Sequence, residues 1–346
     1  MRIIDVHTHV FPQYADLAVE VMDRCGVERC VTLEWHDGFG ETLRRHLELF
    51  NRYAGRFIVF GNVDWSRINQ RGFGERAARQ MERDASAGMR GFKVYKALGL
   101  SYRRRNGQLW RVNDRQFDPI WATAGALKLP VLLHTADPIG FWQPVNERNF
   151  WDNVLYGEYD GWTYYRKGLP SREELLAERN EVVARHHKTV FLCPHVGSMS
   201  ECLDGAAEDL EALPNLYYDF SARTPELGRT PERAARARQF FLKYADRMLF
   251  GTDMIYDDTY VPAGQQAQLL FQPGKVIRDK DEARRRCADE SVACFRSHLE
   301  FLTGDDAQRK PPFCRSKKPY TTTNLHLPKS VCEKILYGNA KRLLHL

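Results

Sequence analysis

The motif DVHTH, which begins at Asp5, has the residue types and the spacing of a metal site. It lies in an apolar run over residues 3–10 that predicts a short buried β-strand. Because side chains alternate along a strand, Asp5, His7 and His9 are predicted to share one face, opposite Ile4 and its alternates. The two imidazoles would then lie roughly 6 to 7 Å apart and could hold one divalent ion. A structural histidine pair is the alternative, but buried histidines are costly without partners.

Eight β-rich runs recur along the chain, separated by segments with helical patterns. They cover residues 3–10, 27–33, 57–63, 91–95, 131–135, 190–195, 216–220 and 248–252. Strands that alternate with helices predict a parallel sheet, and eight such units favour a closed (β/α)8 barrel of the TIM type over an open sheet. The sequence has no GxGxxG fingerprint and no P-loop, which argues against the nucleotide-binding α/β folds.

Helix starts and stops are marked at several points. Apolar residues at helical spacing predict a helix from Phe73 to a stop at Gly88. The sequence SREE at Ser171 is a capping box that opens a helix to about His187. Thr230, followed by a proline, has the pattern of another helix start.

A single domain over residues 1–346 is expected, because no linker rich in Gly, Ser or Pro divides the chain. Two long segments interrupt the alternation of strands and helices. Residues 138–170, after the fifth strand, are rich in aromatic residues and predict either a lid-like insertion or packing at the barrel rim or a subunit interface. Residues 256–326 are rich in Arg and Lys and predict a helix or two with an irregular excursion before the final helix.

Polar residues recur where the strands end, which is where the reactive groups of such a barrel lie. His134 and His195 end the fifth and sixth strands, Asp253 follows the eighth, and Lys93 and Tyr95 point inward from the fourth. The predicted inward faces group His134 with Leu132, His195 with Phe191 and Cys193, and Asp253 with Leu249 and Gly251. Each polar residue alone has a structural alternative, such as a core histidine or a helix cap. Their joint occurrence at one rim favours Zn²⁺ or a similar divalent ion with an open position for water.

Composition and charge exclude several function classes. The 346-residue chain has a formal net charge of +6 and no nucleic-acid-binding motif, so no nucleic-acid partner is expected. No apolar run is long enough for a membrane span, and the apolar N-terminal stretch carries charged and histidine residues, unlike a signal peptide. The eight cysteines are scattered without CxxC pairs, which predicts reduced thiols and a cytoplasmic location.

Seven stretches resemble the amidohydrolase-2 branch of the amidohydrolase superfamily, in the expected order over nearly the whole chain. They are IIDVHTHVFP, GFKVYKALGL, PVLLHTADP, VFLCPHVG, NLYYDFSAR, RMLFGTDM and ILYGNAKRLL. That branch includes lactonases, other hydrolases and non-oxidative decarboxylases, built on a metal-dependent, distorted (β/α)8 barrel. The resemblance therefore implies a metal-dependent enzyme acting on a small molecule, and it is the sole ground for considering a homodimer.

The resemblance also implies roles for individual residues. By position, His7, His9, His134 and Asp253 are the expected metal ligands, with Zn²⁺ as the default ion and Mn²⁺ as the alternative. Asp253 and His195 are the expected catalytic residues. Asp253 would act as general base, and His195 would polarise the substrate or help to position the water.

Lys93, Trp142 and Arg223 are the expected substrate-binding residues. In some branches of the superfamily a strand-four lysine is carbamylated and bridges two metals. The branch resembled here implies a single metal, and Lys93 would then pair with a substrate carboxylate or serve as a structural cation.

The leading hypothesis for the reaction is hydrolysis of an ester, lactone or amide bond by metal-activated water. The substrate would be small and anionic or aromatic. The runner-up is a metal-dependent, non-oxidative decarboxylation of a carboxylated aromatic or related acid. A barrel that binds a ligand without turnover is the third reading, and the complete set of candidate ligands argues against it.

Overall fold

A computed structural model of the protein describes residues 1–33, 37–151, 163–256, 267–269, 272–277, 279–305, 307–308 and 320–346. Its main sheet contains nine parallel strands in the order β8-β7-β6-β5-β4-β3-β2-β1-β9. They are β1 Ile4–Val10, β2 Arg29–Leu33, β3 Phe57–Gly61, β4 Gly91–Val94, β5 Val131–Leu133, β6 Phe191–Cys193, β7 Leu216–Asp219, β8 Met248–Leu249 and β9 Met254–Tyr256. All eight predicted strands are present, and the predicted TIM-barrel type of fold is confirmed.

The segment between β8 and β9 joins the two ends of the sheet. Val6 N donates a hydrogen bond to Phe250 O at 2.9 Å, and Asp253 N donates to His7 O at 2.7 Å. A Cβ atom on Gly251 would lie 2.9 Å from Cβ of His7, so only glycine permits this close approach. The strand ends at this seam therefore meet around one centre.

Helices surround the sheet. The longer ones are α1 Ala15–Cys25, α2 Gly40–Phe50, α3 Phe73–Ala87, α4 Asp118–Ala126, α5 Arg172–Arg185, α6 Leu203–Ala212, α7 Pro231–Lys243 and α8 Lys280–Thr303. The C-terminal helical segment comprises α9 Lys329–Glu333, a π-helical turn Lys334–Gly338 and α10 Asn339–Leu343. Short turns of α-type cover Ala97–Leu100, Pro194–Gly197 and Thr224–Leu227, and 3-10 turns cover Pro12–Tyr14, Asn51–Tyr53, Trp65–Arg67, Arg115–Phe117, Ile139–Trp142 and Ala245–Arg247.

The predicted helix signals are confirmed. The Ser171 hydroxyl accepts a hydrogen bond from Glu174 N, and the Glu174 side chain accepts one from Ser171 N. Thr230 caps α7 by accepting from Arg233 N. α3 stops at Gly88, whose φ of 123° disfavours other residues.

The buried apolar residues form two layers. An inner cluster combines strand residues with the C-terminal segment: Ile4, Val6, Val31, Leu33, Ile58, Phe60, Leu132, Leu192, Leu249, Ala340, Leu343 and Leu344. A larger outer cluster lies between the strands and the surrounding helices, and it includes Phe92, Val94, Phe191, Cys193 and Phe250. The inner layer therefore fills the barrel, and α10 closes its amino end.

The predicted alternation in β1 is wrong at Asp5. The pairing of β1 with β2 shifts between Asp5 and Thr8, so that β1 has one more residue than β2 in this interval. As a result Val6 and His7, although adjacent, both face inward. Asp5 faces the outer layer, where burial raises the pKa of its carboxyl group to about 7.

The predicted face of β6 is also wrong. Phe191 and Cys193 belong to the outer layer, whereas Leu192 packs inside. His195 nevertheless reaches the interior, because it and Val196 adopt positive φ angles of 61° and 56°. The alternation predicted for β4, β5 and β8 holds for Phe92, Val94, Leu132 and Leu249.

The two predicted long segments are described in part. In the insertion after β5, an aromatic cluster contains Phe141 and Trp151 at its centre, with Trp142, Phe150, Tyr164 and Tyr320 packed against them. The second segment contributes α8, a hairpin of β10 Ala267–Leu269 with β11 Gln272–Ile277, and a pair of β12 Ala307–Gln308 with β13 Thr322–Thr323. Residues 152–162 and 309–319, with the predicted excursion around Pro311 and Pro312, lie outside the described residues. No helix in the described ranges has the length and apolar character needed to span a membrane.

Candidate metal centre

His7, His9 and Asp253 converge at the carboxyl ends of β1 and β8. Nε2 of His7 lies 3.1 Å from Oδ1 of Asp253, and Nε2 of His9 lies 3.3 Å from the same oxygen. Both imidazoles are buried, and their ring centroids are 5.5 Å apart. Asp253 has a φ of 62°, which turns its carboxylate toward the histidines after the strand has ended.

The second nitrogen of each histidine is held by another part of the barrel. Nδ1 of His7 lies 2.9 Å from Oδ2 of Asp219, and Nδ1 of His9 lies 3.1 Å from the carbonyl oxygen of Leu33. These acceptors place a proton on Nδ1 of both rings and leave Nε2 to face Asp253. Ligating histidines are commonly oriented by such carboxylate and carbonyl partners.

His195 lies beside His7, with ring centroids 5.1 Å apart. Its Nδ1 donates to the carbonyl oxygen of Ser221 at 2.8 Å, and its Nε2 lies 3.8 Å from Oδ2 of Asp253. The Ser221 hydroxyl donates to Oδ1 of Asp219 at 2.6 Å and lies 3.0 Å from Nδ1 of both histidines. Asp219 and Ser221 therefore connect the two rings from the outer side of the site.

His134 lies next to His195, with ring centroids 4.9 Å apart. Its Nε2 lies 3.1 Å from the carbonyl oxygen of Ala136 and 3.6 Å from Oδ1 of Asp137. That nitrogen is therefore a donor to its own loop, and the other ring nitrogen, Nδ1, carries the lone pair. Asp137 also pairs with Lys96 and accepts a hydrogen bond of 2.6 Å from the Tyr164 hydroxyl.

The histidines of the centre differ in their pKa values, and therefore in whether they are protonated at neutral pH. Burial lowers the pKa of His7, but the carboxylates of Asp253 and Asp219 outweigh burial and raise it to about 9. Burial lowers the pKa of His9 and of His134 to about 4. In the metal-free protein at neutral pH, His7 is thus an imidazolium, and the other two are neutral.

Both carboxylates are ionised, although Asp219 is buried and the Asp253 side chain is only 28% exposed. Burial alone would raise their pKa values, but the positive charge of His7 outweighs it and holds the pKa of Asp253 well below its ordinary value. The same charge and a hydrogen bond from His7 lower the pKa of Asp219.

Of the three predicted substrate-binding residues, two lie close to this centre. Lys93 is buried on β4, where its charge acts on His9, and burial lowers its pKa to about 8. Arg223 is buried after β7, two residues beyond Ser221, whose hydroxyl contacts His7 and His195. Its guanidinium lies 5.1 Å from the centroid of the Trp151 ring. Trp142 instead packs on Tyr164, with ring centroids 4.7 Å apart, and its indole N–H donates to Pro170 O.

Sequence reasoning missed Asp219, Ser221 and Asp137. Asp219 had a signal, because it ends β7 in phase with Tyr217, which packs against the inner cluster. Asp137 follows His134 by three residues on a loop, and its contact with Lys96 is set by tertiary packing.

The donor set suits a divalent metal. The structure brings His7, His9 and Asp253 within 4.8 Å of one another through their ligand atoms, as it does His7, His195 and Asp219. Imidazole and carboxylate together are ligands of zinc and related ions. Nε2 of His7 and Nε2 of His9 both lie beside one carboxylate oxygen of Asp253. Ligands of a single cation have this arrangement, and such a cation would take the place of the proton on Nε2 of His7.

Comparisons with known proteins agree with this fold. A family model for amidohydrolases matches residues 4–346. A search of curated proteins found no match.

Three solved structures similar to this chain have TM-scores of 0.53 to 0.54. One is 2,6-dihydroxybenzoate decarboxylase complexed with 2,6-dihydroxybenzoate, at 15% identity over 100% of this chain and 99% of that one. Another is a dihydroxybenzoic acid decarboxylase from Polaromonas sp. JS666 with bound manganese and the inhibitor 2-nitroresorcinol, at 16% identity over 100% and 96%. The third is an amidohydrolase from Burkholderia multivorans with bound zinc, at 15% identity over 100% of both chains. At these identities the likeness concerns the fold.

Proposed function

This chain belongs to the amidohydrolase family, and on that premise we propose that it is a metal-dependent hydrolase of an ester, lactone or amide bond in a small molecule. One observation carries the proposal. The Asp253 carboxylate faces Nε2 of His7, His9 and His195 at 3.1, 3.3 and 3.8 Å.

The proposed metal ligands are His7, His9, His134 and Asp253. His7 and His9 would bind through Nε2, because their Nδ1 atoms are engaged with Asp219 and Leu33. His134 would bind through Nδ1, since its Nε2 donates to its own loop. Zinc is the proposed ion and manganese the alternative, supported by the zinc and the manganese bound in two structures of the same fold.

When bound, such an ion would lower the pKa of a water molecule to about 7, which makes hydroxide available at neutral pH. Asp253 would accept the proton from this water and pass it to the leaving group. The Asp253 carboxylate is ionised in the metal-free protein, and a cation in place of the His7 proton would keep it ionised and able to accept.

His195 would help to position the water. Its Nδ1 donates to Ser221 O, and burial and the nearby Arg223 charge hold its pKa well below the ordinary value. The neutral ring therefore presents a lone pair at Nε2. A lone pair accepts a hydrogen bond from water, whereas stabilising an oxyanion would require an N–H donor at that position.

A second candidate is non-oxidative decarboxylation of a carboxylated aromatic or related acid. Two buried cations beside the centre, Lys93 and Arg223, favour it because they could hold the carboxylate that is lost. A panel of lactones and esters assayed beside hydroxybenzoate-type acids separates the two reactions. Release of CO₂ without ester or lactone cleavage would replace the first candidate with the second.

Elemental analysis tests the metal site directly. We expect about one equivalent of zinc or manganese per chain, lost in the His7→Ala/His9→Ala double variant. About two equivalents would instead give Lys93 a bridging, carbamylated role. A protein that takes up no metal after reconstitution would contradict the proposed mechanism.

We also propose a cytoplasmic enzyme, because no disulfide joins the cysteines of the described ranges, as in reducing compartments. A homodimer is part of the proposal, and light scattering on the purified protein tests it.

A further inference from the structure

We propose that Arg223 is the binding site for a carboxylate group of the substrate, held between its guanidinium and the metal centre. Arg223 follows β7 by four residues, at the carboxyl rim where the proposed reaction takes place. The inference deepens the proposed function by naming the substrate class, and in this sense it rests on that function. The binding experiment that tests it does not require turnover.

The guanidinium of Arg223 is buried without an ionic partner in the described part of the chain. Only 6% of the residue is exposed. Its Nη1 donates to the carbonyl oxygen of Ala222 at 3.0 Å, whereas Nε, although buried, has no hydrogen-bond acceptor. Burying a cation without an ionic partner costs free energy of folding, unless an anion binds to it.

The nearby carboxylates are already committed to other groups. Asp137 is paired with Lys96, and Glu201 lies 3.1 Å from Arg172 and accepts from Ile139 N. Asp253 is engaged by the histidines of the centre. These acids attract Arg223 from a distance, but none of them closes its ion pair.

The free edge of the guanidinium has the geometry that a carboxylate requires. With Nη1 directed at its own backbone, the edge formed by Nε and Nη2 remains for two parallel N–H···O bonds. Such bidentate pairs are characteristic of arginine with a planar carboxylate. Because several acids lie near, a singly charged carboxylate fits this site better than a doubly charged phosphate.

Trp151 supplies an apolar wall beside this edge. Its ring lies 5.1 Å from the guanidinium and packs edge-on against Phe141. Gly140 permits this placement, since a Cβ atom there would lie 2.7 Å from Cδ1 of Trp151. The Trp151 ring stacks on the guanidinium but offers no oxygen or nitrogen acceptor for its N–H groups, so an anion is still required to accept their hydrogen bonds.

Arg223 also lies near the reacting centre. It follows Ser221 by two residues, and the Ser221 hydroxyl lies 3.0 Å from Nδ1 of His7 and 3.0 Å from Nδ1 of His195. A carboxylate on Arg223 would therefore place the rest of a small substrate near His195 and Asp253.

Binding of benzoate and of its neutral analogue benzamide to the zinc-loaded protein, measured by calorimetry, tests the proposal. We expect benzoate to bind at least about 10-fold more tightly than benzamide, and the Arg223→Gln variant to lose about 10- to 100-fold in benzoate affinity. Arg223→Lys should retain part of the affinity, because it keeps the charge without the bidentate edge. Zinc content and melting temperature show whether each variant is folded.

The matched control is Arg229→Gln. Arg229 lies on the same loop over an aromatic ring, 4.5 Å from the centroid of Phe150, but it is exposed. This variant should bind benzoate like the wild type.

Benzoate affinity that is unchanged in both Arg223→Gln and Arg223→Lys would overturn the proposal, and it would mean that the metal alone binds the carboxylate. Equal affinity for benzamide and benzoate in the wild type would overturn it independently of any variant. If benzoate binds through Arg223 but no ester, lactone or amide is cleaved, the proposed reaction fails while this site stands.

Discussion

The two ends of the barrel are built from the same strands but differ in chemistry. At the amino end, Leu132, Leu192 and Leu249 pack against Leu343 and Leu344 of the C-terminal segment. Two to four residues further along the same strands, the carboxyl end presents His134, His195 and Asp253.

At the amino end the apolar side chains pack closely, and the neighbouring backbone groups form hydrogen bonds. The Asn339 side chain donates to the carbonyl oxygens of Ala245 and Met248, each at 2.7 Å, and Phe250 N donates to Ile335 O at 3.0 Å. The carboxyl end holds buried charges that, in our proposal, a metal ion and a substrate anion complete. The comparison indicates that stability resides mainly at one end and chemistry at the other.

The largest effect is expected at the carboxyl end. Asp253→Asn removes the proposed general base, so turnover should fall by about 10² to 10⁴-fold, with little loss of thermal stability. Steady-state kinetics on the metal-loaded variant measure this, beside Asp204→Asn at an exposed aspartate. If Asp253→Asn with metal bound turns over at the wild-type rate, the proposed mechanism is wrong.

The converse change at the amino end should cost stability and spare the chemistry. Leu343→Ala leaves a cavity in the inner cluster and should lower the free energy of unfolding by about 2 to 4 kcal/mol. Denaturant unfolding gives this value, with the exposed Leu346→Ala as the matched control. A substantial fall in kcat of folded Leu343→Ala would show that the two ends are coupled.

Asp219→Asn tests the orientation of His7 from behind the centre. The loss of the carboxylate that holds Nδ1 of His7 should weaken metal binding by about 10- to 100-fold. Competition with a metal-binding dye measures the affinity, and Asp289→Asn, an exposed aspartate paired with Arg24, should leave it unchanged. Unaltered affinity in Asp219→Asn would assign this contact to folding alone.

The smallest effect, when it is counted per unit of pH, concerns the pH dependence of metal affinity. A metal can bind His7 only after its Nε2 loses a proton, and the pKa of His7 in the metal-free protein is raised to about 9. His9 and His134, with pKa values of about 4, are already neutral above pH 6. Metal affinity should therefore rise with pH between 6 and 9, by up to about 10-fold per unit.

Calorimetry in buffers of different ionisation enthalpy should accordingly detect about one proton released per metal bound at pH 7. Release should decrease in Asp219→Asn, because one of the two carboxylates that raise the His7 pKa is then neutral. No proton release at pH 7 would show that His7 is not protonated before binding.

The sequence alone determined the eight strands, the principal helix starts and the polar residues at the strand ends. These features depend on local patterns, namely apolar runs of period two and capping residues, which act over a few residues. The resemblance to the amidohydrolase-2 branch then named the candidate ligands. The structure brings His7, His9 and Asp253 together, while the ligand assignment stays a prediction.

Only the tertiary structure decided which way several of these side chains point and what holds them. The extra residue in β1 turns Asp5 outward and His7 inward, and the positive φ of His195 brings it inside from an outward-facing position. Asp219 contacts His7 across 212 residues of sequence, and the buried Arg223 meets Trp151 from a different loop. Strand register, local backbone strain and contacts between distant segments are set by packing of the whole barrel, so no local pattern encodes them.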